Sequence, residues 1–232
     1  MVVIWIATAA LCVFAAWFMW ERIKGYSKKD VTLKVMCSLC FLVVGLTALG
    51  MHYTKAGYFL LFGGILGALG DFFLGLSHIK KQKKRVCMIL GFLGFGVGHV
   101  LYCLALINRY GHYVQPLYYI IPTALAFLLS AGLLVFRKKF GLHFGKLMPV
   151  VLTYVFILGF SVFFTVSLNI VTDFRRLHLL IFGGGILLFI VSDTILSRMY
   201  FGKAERSPVA VVTNHVTYYA AQWLIAFSIL FA

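Results

Sequence analysis

Two aspartates, Asp71 and Asp193, interrupt apolar segments of the sequence and are the residues best suited to chemistry. The chain has only six acidic residues, so two of them in apolar surroundings need a reason. An ionisable Asp at the centre of a bilayer costs roughly 2.5–3.5 kcal/mol, and such residues usually have a functional role. Paired carboxyl groups act as acid and base when one keeps its proton and the other is ionised. The two aspartates are therefore the candidate catalytic pair.

The composition is that of an integral membrane protein. Of the 232 residues, 62% are hydrophobic and only 12% are charged. The net charge of +15 does not indicate a nucleic-acid partner, because the Lys and Arg residues fall in short clusters between apolar segments. Cys37 and Cys40 have CxxC spacing but lack the second pair that a zinc site needs. We therefore predict no disulfide framework, no metal site and no cofactor.

Eight apolar segments have about the length that a transmembrane helix needs. They predict an all-α integral membrane protein, a bundle of eight transmembrane helices in one domain over residues 1–232. The first segment has no basic residues before it and is expected to be a span and not a cleaved signal. The predicted helices are residues 2–20, 31–50, 57–77, 86–108, 116–136, 147–169, 177–197 and 208–231.

The distribution of basic residues between the loops predicts the orientation. The loops after helices 1, 3, 5 and 7 hold sixteen Lys and Arg residues, whereas the alternate loops hold four. Short basic loops face the cytoplasm. Both termini are therefore expected on the non-cytoplasmic side. The last basic cluster consists of Arg198, Lys203 and Arg206.

Lys34 is the one basic residue inside a predicted helix. It lies about one turn from the cytoplasmic end of helix 2, so we expect it to extend to the headgroups. The alternative is that it points inward toward a carboxylate.

Several other polar residues lie at membrane depth. Asp71 and Asp193 are about 9 and 6 Å above the cytoplasmic ends of their helices, which puts them at similar depth. His99 and Tyr102 share one face of helix 4. We predict one polar cavity open to the cytoplasm, with Asn214 near the level of the aspartates and Tyr218 deeper. Its expected lining is Asp71, Asp193, His99, Tyr102, Tyr219 and Gln222. Taken singly, His99 would be a hydrogen-bonded interior histidine and the tyrosines would be packing residues.

Four segments resemble the YhhN family of membrane proteins in their order and in their placement on helices 3, 4, 7 and 8. They are Gly70-Asp71-Phe72-Phe73-Leu74, Gly91-x3-Phe95-x3-His99-x2-Tyr102, Phe189-Ile190-Val191-Ser192-Asp193 and Tyr218-Tyr219-Ala220-Ala221-Gln222. The characterised members of that family are lysoplasmalogenases. The resemblance implies hydrolysis of the vinyl-ether bond of a lysoplasmalogen, a lysophospholipid, to a fatty aldehyde and a glycerophospho-base.

The residue types suit that reaction. Protonation of the β carbon of a vinyl ether makes an oxocarbenium ion, as in glycoside hydrolysis, where two carboxyl groups divide the work. Asp71 and Asp193 would be acid and base, in an order that the sequence leaves open. The expected substrate-binding residues are His99, Tyr102, Tyr218, Tyr219, Gln222, Asn214 and Lys34.

Other functions remain open at this point. Intramembrane Asp and His also serve proton-coupled transporters, and a lipid-binding membrane protein is a related alternative. A metal-dependent lipid amidase would use His99, His215 and the aspartates as ligands. An intramembrane aspartyl protease is disfavoured because Ala68 replaces the first glycine of the G-x-G-D motif. The compact chain with minimal loops favours a bacterial plasma membrane, and the sequence leaves the oligomeric state open.

Overall fold

The structure is a computed structural model that describes residues 1–202 and 207–232. Over these residues it is all-helical, without a β-strand. Lys203 and Arg206, which were counted in the last basic cluster, lie outside the described residues. The eight long helices are α1 (Val2–Lys24), α2 (Lys28–Met51), α3 (Lys55–Ile79), α4 (Lys84–Tyr110), α5 (Leu117–Phe136), α6 (Met148–Val171), α7 (Leu177–Phe201) and α8 (Pro208–Ser228).

All eight predicted helices are present, with ends within a few residues of the predicted ones. Polar caps set several of the starts. Ser27, Thr54 and Ser207 each accept a hydrogen bond from the backbone N–H three residues ahead, at 3.0–3.1 Å. Such caps satisfy amides that the first helical turn leaves without a partner. Pro208 then opens α8 at a position where its missing N–H is not needed.

Within the described residues, the seven helices α1 to α7 are long and apolar enough to cross a membrane. The fold is consistent with a multi-pass membrane protein. Helix α8 is not in that set, and it carries Asn214, His215 and Gln222 in its middle. Its helical nature is confirmed, whereas its crossing of the membrane stays a prediction, as does the side on which the termini lie. These polar residues are buried, so α8 turns them toward the other helices.

The central helices pack closely because glycines line their contact. The α3–α4 pair has the most extensive contact of any two helices. A Cβ atom on Gly94 would lie 2.8 Å from the Leu66 carbonyl oxygen, and one on Gly98 would lie 2.9 Å from that of Gly63. Small residues let membrane helices approach until their backbones touch. This approach fixes α3, which carries Asp71, against α4.

Helix α8 lies among the helices that carry the site, since it contacts α1, α2, α3 and α7. Helix α5 has the opposite character and packs mainly against α6. Only Pro122 and Ala126 of α5 are buried, and most of its other apolar side chains are exposed. An apolar exterior of this kind suits lipid.

Replacing Gly94 with Ala should destabilise the protein, because the added methyl would meet backbone atoms that cannot move without parting α3 from α4. Overpacking of this kind costs about 1–3 kcal/mol. Gly132 in α5 has no atom within 4 Å of a built Cβ and provides the matched control. Thermal unfolding in detergent should show a lowered midpoint for Gly94→Ala and an unchanged or raised one for Gly132→Ala. Equal midpoints for the two variants would contradict the close α3–α4 contact.

Candidate active site

Asp71 is buried, and its carboxyl group contacts three donors from two helices, α2 and α8. It is only 1% exposed. Its Oδ2 accepts hydrogen bonds from Ser38 Oγ at 2.8 Å and from the Tyr218 hydroxyl at 2.6 Å. Its Oδ1 lies 2.8 Å from Lys34 Nζ. Three donors, one of them a cation, thus contact the two carboxyl oxygens of Asp71.

Lys34 points into the protein, so the expectation that it extends to the headgroups is wrong and the alternative holds. Its side chain is 9% exposed and pairs with Asp71 across the α2–α3 contact. The physical reason is that Asp71 offers an opposite charge within reach of the lysine stem. A buried carboxylate without a cation would be far more costly than the pair.

Asp193 on α7 has a different environment. It is partly buried and accepts a hydrogen bond from the Tyr154 hydroxyl of α6. Among the described residues, no Lys or Arg lies within ion-pair distance of it. The two carboxyl groups therefore differ in charge surroundings, one beside an ammonium group and the other beside a phenol.

Both aspartates line the same small cavity, of about 30 Å³, which lies between α2, α3, α4, α6, α7 and α8. Asp71 and Asp193 each stand eight residues before the end of their helix. That is about 12 Å along the helix axis in both cases. The predicted common depth follows from this. The polar residues that line the cavity are Lys34, Asp71, Tyr154, Ser192, Asp193, Asn214, His215 and Tyr218.

Three predicted residues form a chain of hydrogen bonds that ends on Asp71. The Tyr102 hydroxyl donates to Gln222 Oε1 at 3.3 Å. Gln222 Nε2 donates to the Tyr218 hydroxyl at 3.1 Å, and Tyr218 donates to Asp71. Tyr102 and Gln222 thus lie behind the small cavity and reach it through Tyr218. They orient Tyr218 and do not themselves line the space between the aspartates.

Asn214 holds the segment next to Asp193. Its Nδ2 donates to the Ser192 hydroxyl at 2.8 Å and to the Ser192 carbonyl at 3.0 Å. Ser192 Oγ in turn donates to the Asn214 carbonyl at 3.1 Å. These bonds join α7 to α8 one residue before Asp193. Ser192 therefore bonds the neighbouring helix and not its own backbone.

His99 and Tyr219 are buried but do not line the small polar cavity. His99 is 1% exposed, and neither ring nitrogen has a hydrogen-bond partner. The edges and faces of Phe189 and Tyr102 enclose its ring, at centroid distances of 4.7 and 5.4 Å. Tyr219 lies beside Cys37 and meets Phe18 edge to face. The two residues are thus packing neighbours of the site in this structure.

A larger apolar cavity, of about 500 Å³, adjoins the polar one and has no counterpart in the sequence-based prediction. Helices α5, α6 and α7 and the segment 140–144 enclose it. Tyr154 and Asp193 line both cavities. Tyr154 was missed because one Tyr in a long apolar segment looks like any packing aromatic. The apolar residues that line this larger cavity include Leu129, Leu133, Phe140, Phe144, Val155, Leu158 and Ile190.

These features define a class: an all-helical, multi-pass membrane protein with two carboxyl groups at an internal polar site. The chain belongs to the YhhN family, whose model matches residues 29–229 and so covers the helices from the second residue of α2 to the end of α8, but not α1. No curated protein and no solved structure matches the chain. The resemblance seen in the four sequence segments is thereby confirmed at the level of the family.

The buried ion pair should be more sensitive to the loss of one partner than to the loss of both. Lys34→Met leaves a buried carboxylate without its cation, which costs about 3–5 kcal/mol. The double variant Lys34→Met/Asp71→Asn leaves no unpaired charge and should recover much of that loss. A double-mutant cycle of unfolding free energies, with Asp71→Asn as the fourth member, measures the coupling. Losses that simply add would show that the two groups are not paired.

Proposed function

We propose that the protein is an intramembrane hydrolase that cleaves the vinyl-ether bond of a lysoplasmalogen. The observation that carries the proposal is the position of Asp193 and Tyr154 in the wall between the polar and the apolar cavity. Membership of the YhhN family is consistent with it. A lysophospholipid has one hydrocarbon chain and one polar end, and the two adjoining cavities match that division.

The hydrocarbon chain of the substrate occupies the apolar cavity in this proposal. At about 500 Å³, the cavity is large enough for a ligand of that size. Arg198 and Ser197 line the same cavity nearer the cytoplasmic end of α7, where a phosphate headgroup would find a cation. The vinyl-ether carbons then lie beside Asp193.

Asp193 acts as the acid. Its carboxyl group transfers a proton to the β carbon, and the double-bond electrons form the new C–H bond. The α carbon and the ether oxygen then share the positive charge of an oxocarbenium ion. The Tyr154 hydroxyl stabilises the Asp193 carboxylate that the transfer leaves behind, since a donated hydrogen bond favours the ionised form.

Asp71 acts as the base and as the stabiliser of positive charge. Its carboxylate has about four lone-pair positions, and Lys34, Ser38 and Tyr218 use three of them. The fourth can accept a proton from a water molecule in the small cavity. That water adds to the α carbon and forms a hemiacetal. The hemiacetal then breaks its bond to the glycerol oxygen, which takes the proton held by Asp71, while the hemiacetal hydroxyl returns a proton to Asp193 and becomes the aldehyde oxygen. One water is consumed, and the products are a fatty aldehyde and a glycerophospho-base.

The remaining predicted residues have positioning roles in this scheme. Tyr102 and Gln222 hold Tyr218, while Asn214 holds the backbone beside Asp193. His99 and Tyr219 shape the packing around them. With the orientation predicted from the loops, the site opens in the cytoplasmic half of a bacterial plasma membrane.

The alternatives differ in what they need. Over the described residues, no three His, Cys, Asp or Glu side chains form a cluster that could hold a metal ion, so a metal-dependent amidase lacks a ligand set there. A transporter or a lipid-binding protein would use the same cavities without turnover. Product formation in detergent separates these alternatives from a hydrolase, because no compartments exist there.

Replacing either aspartate with Asn should abolish aldehyde release from a lysoplasmalogen while the protein still elutes as a monodisperse species. Asp71→Asn removes the base and Asp193→Asn removes the acid. Asp173 is the matched control, because it lies exposed in the α6–α7 turn with a positive φ of 52°, which Asn also adopts readily. Asp173→Asn should keep full activity. Turnover by both site variants would refute the proposed mechanism.

Filling the apolar cavity should weaken the use of long-chain substrates. Leu129→Trp replaces an aliphatic side chain in the cavity wall with a larger indole ring. Leu128, its neighbour in α5, is 63% exposed and does not line the cavity. KM for a long-chain lysoplasmalogen should rise in Leu129→Trp and stay unchanged in Leu128→Trp. The effect should shrink as the chain of the substrate is shortened. Equal behaviour of the two variants would exclude this cavity as the chain site.

A further inference from the structure

A second large cavity, of about 520 Å³, lies at the opposite end of the bundle from the aspartates. The end of α2, the end of α4, the start of α7 and the chain segment 230–231 enclose it. The arginine and histidine residues that line it are His52, Arg109, His112, Arg175, Arg176 and His178. None of the described residues that line it is acidic.

The concentration of arginines is notable because this end of the bundle is poor in basic residues. Only four Lys and Arg residues occur in the loops and helix ends there, and three of the four line this one cavity. The fourth, Lys55, does not. Repulsion between cations should spread them apart unless an anion offsets it. The guanidinium group also binds phosphate through two parallel hydrogen bonds, which an ammonium group does not.

His178 supplies a second and independent observation. It is 1% exposed and lines the cavity, yet its Nε2 has no hydrogen-bond partner. The other ring nitrogen, Nδ1, lies 3.1 Å from the Tyr110 hydroxyl. When Tyr110 donates to Nδ1, the ring hydrogen is on Nε2 and is available to an acceptor. A buried donor without a partner is costly, and a bound anion would satisfy it.

The backbone favours an anion at the same place. Helix α7 begins at Leu177, and no side chain caps its first turn. The amides of an uncapped first turn and the positive end of the helix dipole attract negative charge. The same cavity is therefore lined by the arginine side chains, by His178 with its unpartnered Nε2, and by the first residues of α7.

We propose that this cavity binds a phosphate group, as a monoester or a diester. Arg109 and Arg175 supply charge-assisted hydrogen bonds, and His178 and the start of α7 complete the site. Leu230 and Phe231 add an apolar wall, against which a glycerol or acyl portion would lie. The phosphate comes either from a phospholipid headgroup in the adjacent leaflet or from a soluble phosphate ester. The site is separate from the aspartates and does not depend on the hydrolase proposal.

The experiment uses the full chain with a tag at its amino terminus, so that the wall formed by residues 230–231 is unaltered. Native mass spectrometry measures retention of dioleoyl phosphatidylglycerol, and thermal unfolding in detergent measures stabilisation by glycerol 3-phosphate. The variants are Arg109→Gln and Arg175→Gln, each exposed and not needed for packing. Lys55→Gln is the matched control, since it removes one charge from the same end without touching the cavity.

Retention of the lipid in a one-to-one complex, weakened roughly ten-fold or more in each arginine variant and unchanged in Lys55→Gln, supports a headgroup site. The same variant pattern with glycerol 3-phosphate alone supports a soluble ligand. Failure of both probes overturns the proposal. Binding that the arginine variants leave intact, or that Lys55→Gln weakens equally, also overturns it, because the charge would then act only through the general surface potential.

Discussion

The ion pair between Lys34 and Asp71 is the interaction on which the rest of the site depends. A carboxylate and an ammonium group out of water each cost several kcal/mol, and only good geometry and further hydrogen bonds offset that cost. Lys34 supplies the opposite charge, while Ser38 and Tyr218 donate to the remaining positions. Satisfying one carboxylate therefore fixes the relative positions of α2, α3 and α8. The close glycine contact between α3 and α4 makes this arrangement rigid on its other side.

This requirement also explains why the two aspartates are not equivalent. They lie at the same depth, yet Lys34 pairs with Asp71, and among the described residues it is the only lysine of a long helix that lies beyond the first and last turns. Asp193 on α7 faces α6, which has no charged residue near that level and offers the Tyr154 hydroxyl instead. Two carboxyl groups in one site divide into acid and base when their surroundings differ, as they do in glycosidases. In the proposed mechanism, the assignment of acid and base rests on this difference in surroundings.

The helices and the common depth of the aspartates could be predicted because they depend on features along one chain segment: apolar length, caps and position from a helix end. The direction of the Lys34 side chain could not be predicted, because extension to the headgroups and pairing with Asp71 both fit its position on α2. Tyr154 and the apolar cavity were missed for another reason. A cavity is a gap between helices, and no residue type in α5 or α7 marks the place where packing is incomplete. His99 was placed on the correct face of α4, but face alone does not tell a site residue from one enclosed by aromatic rings.

The sizes of the two adjoining cavities bear on the chemistry as much as the residues do. The polar cavity, at about 30 Å³, has room for about two water molecules by the measure that one needs roughly 10–15 Å³. An oxocarbenium ion reacts with whatever nucleophile is nearest, so a site that admits only one or two waters controls where addition occurs.

Lipid in the apolar cavity would exclude bulk water from the other side of the site, so that few water molecules would surround Asp193. In the proposed mechanism, the wall shared with the apolar cavity keeps bulk water away from the acid while the proton is transferred to carbon. The division of space between the cavities is therefore part of the proposed mechanism, and filling either one should impair turnover while the other remains intact.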